Sequence, residues 1–293
     1  MQPSLKHRLE YLALSGLKTL ANTLPESTAR NFGANLGRLI GRLWSARRQI
    51  ACDNLAQAFP DRPRQEIEDI AGAVFANVGR TMFEVLRFGQ SRPEDILARV
   101  DTNGTEPFEE AARLGRGALL VSAHIGNWEI HGAWIRALGY PVDVVVKPMR
   151  NPLADHLLNS CRAVHDVGII HTQQATSGIV RAVKQRRFVA IVADQYAGGE
   201  GVGVEFFGRT VSTPRGPAAL ALKYGCPIIT GYLVRKPDGR YYAFNDTLLT
   251  FTPSGDSEKD VVAVTQAFTT RIENYIRRKP DEWLWTHRRW GGR

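Results

Sequence analysis

Apolar residues recur with a helical period before residue 100 and in short runs after it. The first part contains three stretches of helical spacing, residues 5–24, 27–59 and 65–88, which predict amphipathic helices. From Val100 onward, short apolar runs alternate with helical stretches, and glycine, proline and polar clusters separate them. This alternation is typical of βαβ units. We therefore predict an α/β fold in which a central mixed sheet is flanked by helices.

The same change of pattern predicts two regions: a helical, membrane-associating region at residues 1–99 and an α/β core at residues 100–293. Apolar runs predict core strands near residues 118–122, 142–147, 168–170, 189–193, 228–233 and 241–245. Helical spacing predicts core helices near residues 128–138, 152–164, 177–184, 216–224 and 261–278. The length suits one large α/β domain with a helical extension, or two smaller domains.

The N-terminal helices combine an apolar stripe with basic side chains. Charged residues interrupt residues 5–24, so no window of about 18 uncharged apolar residues is available for a membrane span. In the next helix, Gly33, Gly37 and Gly41 recur four residues apart, a spacing that lets two helix backbones approach closely. We expect a helical extension that lies on a membrane. The alternative is that the stripe packs on the protein's own core.

Composition describes an ordinary globular protein with excess positive charge. Of the 293 residues, 43% are hydrophobic and 23% charged, and the formal net charge is +9. Such a charge favours an acidic partner, which is a nucleic acid, an anionic membrane surface or a phosphorylated substrate. We find no basic recognition helix or stacking-aromatic motif and therefore expect no nucleic acid. Cys52, Cys161 and Cys226 lack metal-ligand spacing, which argues against a metal site and indicates a reduced, cytoplasmic-side location.

One stretch joins a strand exit, a turn and acid–base chemistry. An apolar run predicts a buried strand that ends just before His124, and helical spacing begins at Trp128. A side chain at the exit of such a strand can face a crevice. Because Gly126 and Asn127 can turn the chain, we expect Glu129 to reach the imidazole and orient it, so that His124 acts as a general base. The alternative is a structural histidine at a strand end.

A second strand exit carries Asp194 and Gln195, which follow another apolar run. Two polar strand exits in one sheet predict a crevice that is shared with His124. A turn or helix cap is the alternative role of Asp194. The next segment, Tyr196–Gly203, is rich in glycine and predicts a mobile flap, and Glu205 follows it between glycines and aromatic residues.

Two further segments carry candidate binding groups. Residues 212–217 predict a loop and a helix start whose backbone amides can bind an anion, and Arg215 adds a positive charge there. The segment at residues 283–290 interleaves three tryptophans with basic residues. Stacking on nucleic acid, a membrane interface and packing on the core are the possible roles, and we expect the interface. The sequence lacks both Gly-x-Ser-x-Gly and His-Glu-x-x-His, which argues against serine and zinc hydrolases.

Together these residues resemble the bacterial lipid A biosynthesis late acyltransferase family, within the wider group of lysophospholipid acyltransferases. The matching segments are Ser122–Glu129, Ala193–Gln195, Val204–Gly208, Thr213–Ala218, Trp283–Trp290, Asn54–Pro60 and Phe83–Arg87. The His-x-x-x-x-Glu element alone is only moderately specific, but the ordered set covers nearly the whole chain and is highly specific.

The resemblance implies transfer of a fatty acyl chain from a thioester, usually on acyl carrier protein, to a hydroxyl of a lipid A precursor. His124 would take the proton of that hydroxyl and Glu129 would orient His124. No cofactor is implied beyond the acyl thioester. Arg150 or Arg215 is expected to bind phosphate or the oxyanion. The expected substrate-binding residues are Asn127, Trp128, Arg150, Asp194, Gln195, Glu205 and Arg215.

The expected partners are acyl carrier protein, an anionic glycolipid acceptor and the cytoplasmic face of the bacterial inner membrane. Many relatives carry a clear N-terminal membrane span, whereas here it is interrupted, so we predict monotopic attachment. Related enzymes that acylate phosphatidylinositol mannosides use acyl-CoA, and in them the glutamate that matches Glu205 is a candidate partner of His124. Acyl-CoA-dependent acylation of another glycolipid or lysophospholipid is therefore one alternative function. The other is a non-catalytic basic protein that binds membrane or nucleic acid.

Overall fold

The computed structural model describes residues 3–291, which are organised around a seven-stranded sheet, with two further strands in a separate hairpin. The strands are β1 (Val100–Thr102), β2 (Ala118–Ser122), β3 (Val142–Val146), β4 (Gly168–His171), β5 (Phe188–Val192), β6 (Gly201–Phe206), β7 (Arg209–Pro214), β8 (Ile228–Arg235) and β9 (Tyr241–Asn245). The order in the main sheet is β1-β9-β8-β2-β5-β3-β4. β8 and β9 are antiparallel and the other neighbours are parallel, so the sheet is mixed, as predicted.

Helices cover both faces of the sheet and fill most of the chain before it. They are α1 (Leu5–Thr23), α2 (Glu26–Leu43), α3 (Ser45–Ala58), α4 (Arg64–Phe88), α5 (Pro93–Leu97), α6 (Glu106–Leu114), α7 (Trp128–Ala137), α8 (Pro152–Ala163), α9 (Ala175–Lys184), α10 (Gly216–Tyr224) and α11 (Ser257–Arg278). The predicted core strands and helices are all present, with ends that differ by a few residues. The single helix predicted over residues 27–59 is wrong, because Trp44 adopts a non-helical conformation between α2 and α3.

Both faces of β2 are buried, because successive side chains of this strand join different core clusters. Leu119 and Val121 pack with side chains of α3, α4, α10 and α11. Ala118 and Leu120 pack with side chains of α6 and α7. A parallel strand that is covered on both faces is apolar at every position, which explains the continuous apolar run in the sequence. Since α3 and α4 join the first cluster, the N-terminal helices contribute to the core of the sheet.

Part of the glycine-rich segment Tyr196–Gly203, which the sequence predicts to be a mobile flap, is a β-strand. Its last three residues belong to β6, which pairs with β7 along its whole length. The alternate side chains Val202, Val204 and Phe206 are buried, and the residues between them face outward. Two of the outward positions are glycines, so the period-two pattern is hard to recognise in the sequence.

The tryptophan-rich end packs onto the protein. Trp283 and Trp285 are 2% and 0% exposed, and their ring centroids lie 4.5 Å apart. Trp290 is half-buried, and its ring lies 5.6 Å from that of Phe206 in β6. The predicted interfacial role of this segment is therefore wrong, because the aromatic rings gain more from burial against the hairpin.

Glycines bring α2 and α4 into close contact, as their spacing predicts. A Cβ atom built on Gly37 would lie 2.1 Å from the carbonyl oxygen of Phe75, and one built on Gly79 would lie 2.0 Å from the carbonyl oxygen of Gly33. Neither distance is compatible with a side chain, so only glycine allows the two backbones to approach this closely.

The apolar stripe of α1 is buried at one end and exposed at the other. Leu17 and Leu20 pack partly against the core beside α4 and α8. Leu5, Leu9 and Leu12 stay exposed, by 74%, 59% and 64%. Within residues 3–291, no helix combines the length and the apolar character that crossing a bilayer requires.

Candidate active site

His124 and Asp194 meet at the edge of the sheet. β2 and β5 are parallel and pair in register through Ser122 and Val192, so the residues that follow the two strands emerge side by side. The imidazole Nδ1 of His124 lies 2.9 Å from Oδ1 of Asp194. The two polar strand exits therefore form one site.

Asp194, and not Glu129, is the carboxylate that is hydrogen-bonded to His124. Glu129 instead accepts two hydrogen bonds from Arg162, at 2.8 and 2.6 Å. The expected His124–Glu129 hydrogen bond is thus wrong. The reason is local: α7 begins at Trp128, and this places Glu129 in the first turn of α7, where it faces Arg162 of α8.

The turn between His124 and α7 depends on one glycine. Gly126 has a φ of +60°, and a Cβ atom on it would lie 2.1 Å from the carbonyl oxygen of Leu233 in β8. A residue without a side chain is therefore required for both the left-handed conformation and the close approach. Asn127 then caps α7, since its side-chain oxygen accepts the amide of Ile130 at 3.1 Å. The chain thus reverses between His124 and Glu129, as the sequence suggested.

Three donors hold the Asp194 carboxylate. In addition to the imidazole, Oδ2 accepts the backbone amide of His124 at 2.8 Å and the indole Nε1–H of Trp283 at 2.7 Å. Burial alone would raise the pKa of Asp194, but the charge and hydrogen bonds of His124, with the bond from Trp283, bring this pKa to about 2. Asp194 is therefore a fixed anion that accepts Nδ1–H, which leaves Nε2 of His124 as the free, basic nitrogen.

The pKa of His124 is raised above its ordinary value of 6.5. Burial acts in the opposite direction, but the negative charge of Asp194 and its hydrogen bond outweigh it, and the charge of Glu129 adds a smaller contribution. The imidazole is enclosed by aromatic rings, with the ring centroid of Trp128 at 5.1 Å and that of His287 at 5.9 Å. The arrangement is that of a partly buried base with a charged orienting group.

A cavity of about 490 Å³ begins at His124 and runs along the sheet beneath α7. Polar side chains line it at the carboxyl ends of the strands and on the adjoining helices: His124, Glu129, Lys147, Arg162, Thr172 and Gln195. Apolar side chains line it along the middle of the sheet and beneath α6 and α7: Phe108, Leu120, Ile135, Val144, Ala190 and Ile229. Ser122, His131 and Asn245 also line the cavity, so its wall combines polar groups with an apolar stretch along the middle of the sheet. This is the form expected of a site for a long apolar substrate with a reactive polar end.

Of the seven predicted binding residues, two are among the described residues that line this cavity. Trp128 and Gln195 contribute to its wall. Asn127 is buried away from it, because its amide donates to Oε2 of Glu84 at 3.0 Å while its oxygen caps α7. The prediction that Asn127 binds substrate is wrong, since both ends of its side chain are used within the fold.

Arg150, Glu205 and Arg215 are not among the described residues that line the cavity. Arg150 is exposed in the turn before α8. Arg215 lies at the start of α10 and pairs with Glu258 at 2.5 Å. Glu205 occupies an outward position of β6, where its amide and carbonyl bond to the side chain of Gln266. The structure therefore does not support Glu205 as a partner of His124, nor the two arginines as groups that act beside it.

The sequence reasoning missed Arg162, Lys147 and His287. Arg162 and Lys147 are the cationic side chains that line the cavity among the described residues, but nothing in their local sequence sets them apart from the other basic residues. His287 has its Nε2 3.0 Å from Nε2 of Gln195. It lies inside the tryptophan-rich segment at residues 283–290, which the sequence had already marked as unusual.

Comparisons with known proteins match nearly the whole chain. Residues 2–291 match the family described as bacterial lipid A biosynthesis acyltransferase. The lipid A biosynthesis lauroyltransferase of Escherichia coli (strain K12) is 27% identical over 94% of this chain and 89% of its own length. The phosphatidylinositol mannoside acyltransferase of Mycolicibacterium smegmatis is 25% identical over 92% of this chain and 88% of its own length.

Among solved structures, the 1-acyl-sn-glycerophosphate acyltransferase of Thermotoga maritima aligns with a TM-score of 0.37 and 13% identity, over 83% of this chain and 97% of that one.

Proposed function

Because the chain belongs to the bacterial lipid A biosynthesis acyltransferase family, and is an acyltransferase, we propose that it moves a fatty acyl chain from a thioester to a hydroxyl of a lipid A precursor. The observation that carries this proposal is the position of the His124–Asp194 pair, at the end of a cavity whose wall along the middle of the sheet is mostly apolar. A base placed there meets the reactive end of an acyl chain.

In the proposed reaction, Nε2 of His124 takes the proton from the acceptor hydroxyl as its oxygen attacks the thioester carbonyl. The tetrahedral intermediate then collapses, the carbon–sulfur bond breaks, and the imidazolium returns its proton to the leaving thiolate. Asp194 stabilises the imidazolium that forms between these steps. General-base catalysis of this kind contributes about 10²–10⁴-fold in rate. No covalent acyl-enzyme is needed.

We assign Glu129 to a different role from the one that its spacing suggests. Its carboxylate holds the guanidinium of Arg162 by two hydrogen bonds, and Nη1 of Arg162 also donates to Asn159 at 2.6 Å. Arg162 is thereby fixed at the polar end of the cavity, near Lys147 of the same wall. The two cations supply positive charge for the developing oxyanion or for a phosphate of the substrate.

The donor and the membrane surface follow from the same proposal. The acyl chain of the donor lies in the apolar part of the cavity, and acyl carrier protein, the family's usual carrier, presents the thioester. No cofactor is involved. Exposed leucines of α1 and the net charge of +9 support peripheral attachment to an anionic membrane, and we place it at the cytoplasmic face of the bacterial inner membrane.

A second candidate is acyl-CoA-dependent acylation of another glycolipid. It is favoured by the 25% identity with the phosphatidylinositol mannoside acyltransferase. The non-catalytic alternative is set aside, because the relatives are acyltransferases.

Purified protein, incubated with labelled lauroyl thioesters of acyl carrier protein and of coenzyme A, tests the proposal. Lipid A precursor, phosphatidylinositol mannoside and a lysophospholipid serve as acceptors. We expect transfer from acyl carrier protein to the lipid A precursor, and its loss in both His124→Ala and Asp194→Ala. Preference for coenzyme A and the mannoside would select the second candidate. Wild-type turnover in His124→Ala would contradict the mechanism.

A further inference from the structure

A second, largely apolar cavity lies near His124, separate from the cavity that is proposed to hold the acyl chain of the donor. It is an open groove of about 380 Å³ between α1, α2, α4 and the segment that follows the last helix. We call it the outer groove. Most of its wall is apolar, including Leu17, Ile40, Trp44, Val78, Met82 and Leu284.

The inner end of the outer groove lies beside the catalytic base. His287 lines the groove, and its ring centroid lies 5.9 Å from that of His124. Its Nε2 lies 3.0 Å from Nε2 of Gln195. Gln195 belongs to the wall of the cavity of about 490 Å³ that begins at His124, here called the donor cavity. Among the described residues, the two cavities have no wall residue in common. His287 and Gln195 thus separate them, and the groove approaches His124 from the side away from the donor's acyl chain.

Large apolar side chains of the groove are open to solvent. Ile40, Trp44 and Met82 are 43%, 55% and 39% exposed. Ile40 belongs to α2, Met82 to α4 and Trp44 lies between α2 and α3, yet all three line a single groove. Exposed apolar side chains that form one concave surface mark a binding site. The inner end of the groove lies at the active site, which favours a substrate as the occupant.

Positive charge accompanies this apolar wall. Arg47 lines the groove, with its guanidinium 5.5 Å from the ring of Trp44 and one N–H donated to the carbonyl of Thr286 at 3.0 Å. Arg38 and Arg80 follow directly after two groove glycines, Gly37 and Gly79. The pKa of Arg80 is lowered mainly by burial, with contributions from Arg235 and Arg38 that oppose those of Glu282 and Glu84. Arg47 is the cation that lines the groove among the described residues. An anionic head group therefore suits this surface better than a neutral one.

We propose that the outer groove seats an acyl chain of the acceptor, an anionic lipid, and that the phosphate of this lipid lies against Arg47. The assignment rests on the proposed function, since it takes the donor's acyl chain to occupy the other cavity. The acceptor then enters from the membrane side, and its hydroxyl reaches Nε2 of His124 past His287. Donor and acceptor approach the base from opposite sides, so neither must leave before the other binds.

Photocrosslinking tests occupancy without requiring turnover. The probe is a diacyl phosphatidic acid with a diazirine in one acyl chain, in phosphatidylcholine vesicles, and a diacylglycerol with the same chain is the neutral control. We expect crosslinks in the α2 and α4 peptides that line the groove, stronger with the anionic probe. Val78→Trp, which fills the groove, should reduce them by about tenfold. Val262→Trp on α11 should not, because Val262 is as exposed as Val78, at 38% against 36%, but lies outside the groove.

The same two variants separate the acceptor from the donor. Val78→Trp should raise the KM for the lipid acceptor by about tenfold and the KM for the acyl thioester much less, whereas Val262→Trp should leave both KM values at their wild-type levels. Ile40→Trp serves as a second groove variant, and thermal unfolding verifies that each variant is folded. Crosslinks that persist in the groove variants, that are equal with the neutral probe, or that join two copies of the protein would overturn the proposal. If the wild type acylates no lipid, the proposed function fails, but the crosslinks still decide the groove.

Discussion

Two glutamate–arginine pairs lie on either side of the start of α7, and they differ in surroundings rather than in geometry. Glu84 and Arg235 share two hydrogen bonds of 2.6 and 2.5 Å. Glu129 and Arg162 share two of 2.8 and 2.6 Å. The side chains of the first pair are 4% and 10% exposed, whereas those of the second are 19% and 14% exposed and line the donor cavity.

The difference shows how one type of ion pair serves two purposes. The Glu84–Arg235 pair, here called the inner pair, is bonded to Asn127, which donates to Glu84 and caps α7, so the pair fixes the place where α7 begins. The Glu129–Arg162 pair, here called the outer pair, lines the donor cavity, so its charge is available to a substrate. The hydrogen-bond distances of the two pairs are similar, so they do not distinguish a structural pair from a functional one. The two pairs differ in whether a substrate in the donor cavity can reach them.

The largest expected effect follows from breaking the inner pair. Glu84→Ala should lower the free energy of unfolding by about 3–5 kcal/mol, because it leaves the buried Arg235 without its hydrogen-bonded carboxylate. Denaturant titration measures this. Catalysis by the molecules that remain folded should be nearly unchanged. A stable but inactive Glu84→Ala protein would show that the inner pair also takes part in the reaction.

Breaking the outer pair should affect turnover instead. Glu129→Gln should reduce kcat by about 10²-fold, since Arg162 is no longer held where the oxyanion forms. Its free energy of unfolding should fall by less than in Glu84→Ala, because the neutral amide of Gln still offers an acceptor oxygen and Asn159 still accepts from the guanidinium. Steady-state kinetics and denaturant titration on one preparation measure both. Unchanged turnover with a large loss of stability would make this pair a structural one, like the first.

A smaller effect should come from the cavity wall behind the outer pair. Gly132 of α7 lines the cavity, and a Cβ atom there would meet Cγ1 of Val144 at 3.6 Å, an ordinary contact. A Cβ atom therefore fits at this position, and the larger side chain of Gly132→Leu should shorten the space for the acyl chain, with thermal unfolding to verify that the variant is folded. The preference for short over long acyl donors should rise by about tenfold. Gly72→Leu on α4, a helical glycine with open space around it, is the matched control. If Gly132→Leu leaves the chain-length preference unchanged, the acyl chain of the donor does not occupy this cavity.

The sequence predicted the fold better than it predicted the contacts of the site. Strand β2 was found from its apolar run because both of its faces are buried. The β6–β7 hairpin was missed because glycines occupy its outward positions. His124 was identified from its place at a strand exit, but it was paired with the wrong carboxylate. Asp194 lies 70 residues farther along the chain and becomes a neighbour only through the pairing of β2 with β5.

The two glutamates illustrate the same limit. Glu84 lies amid apolar residues of α4, and its partner Arg235 is 151 residues away. Glu129 stands close to His124 in sequence, which made it the obvious partner, although its hydrogen bonds go to Arg162. Helix spacing describes what lies along one element, whereas the pairing of distant elements decides which charges meet.

The dependence of kcat/KM on pH tests the pairing of His124 with Asp194 most directly. His124 must be neutral to act as a base and its pKa is raised, so wild-type activity should fall as the pH drops through a midpoint above 6.5. Asp194→Asn removes the main charge that raises this pKa, so its midpoint should move to lower pH, with a reduced maximum. Glu129→Gln should move the midpoint in the same direction, but less. A larger shift in Glu129→Gln than in Asp194→Asn, or no shift in Asp194→Asn, would contradict the account.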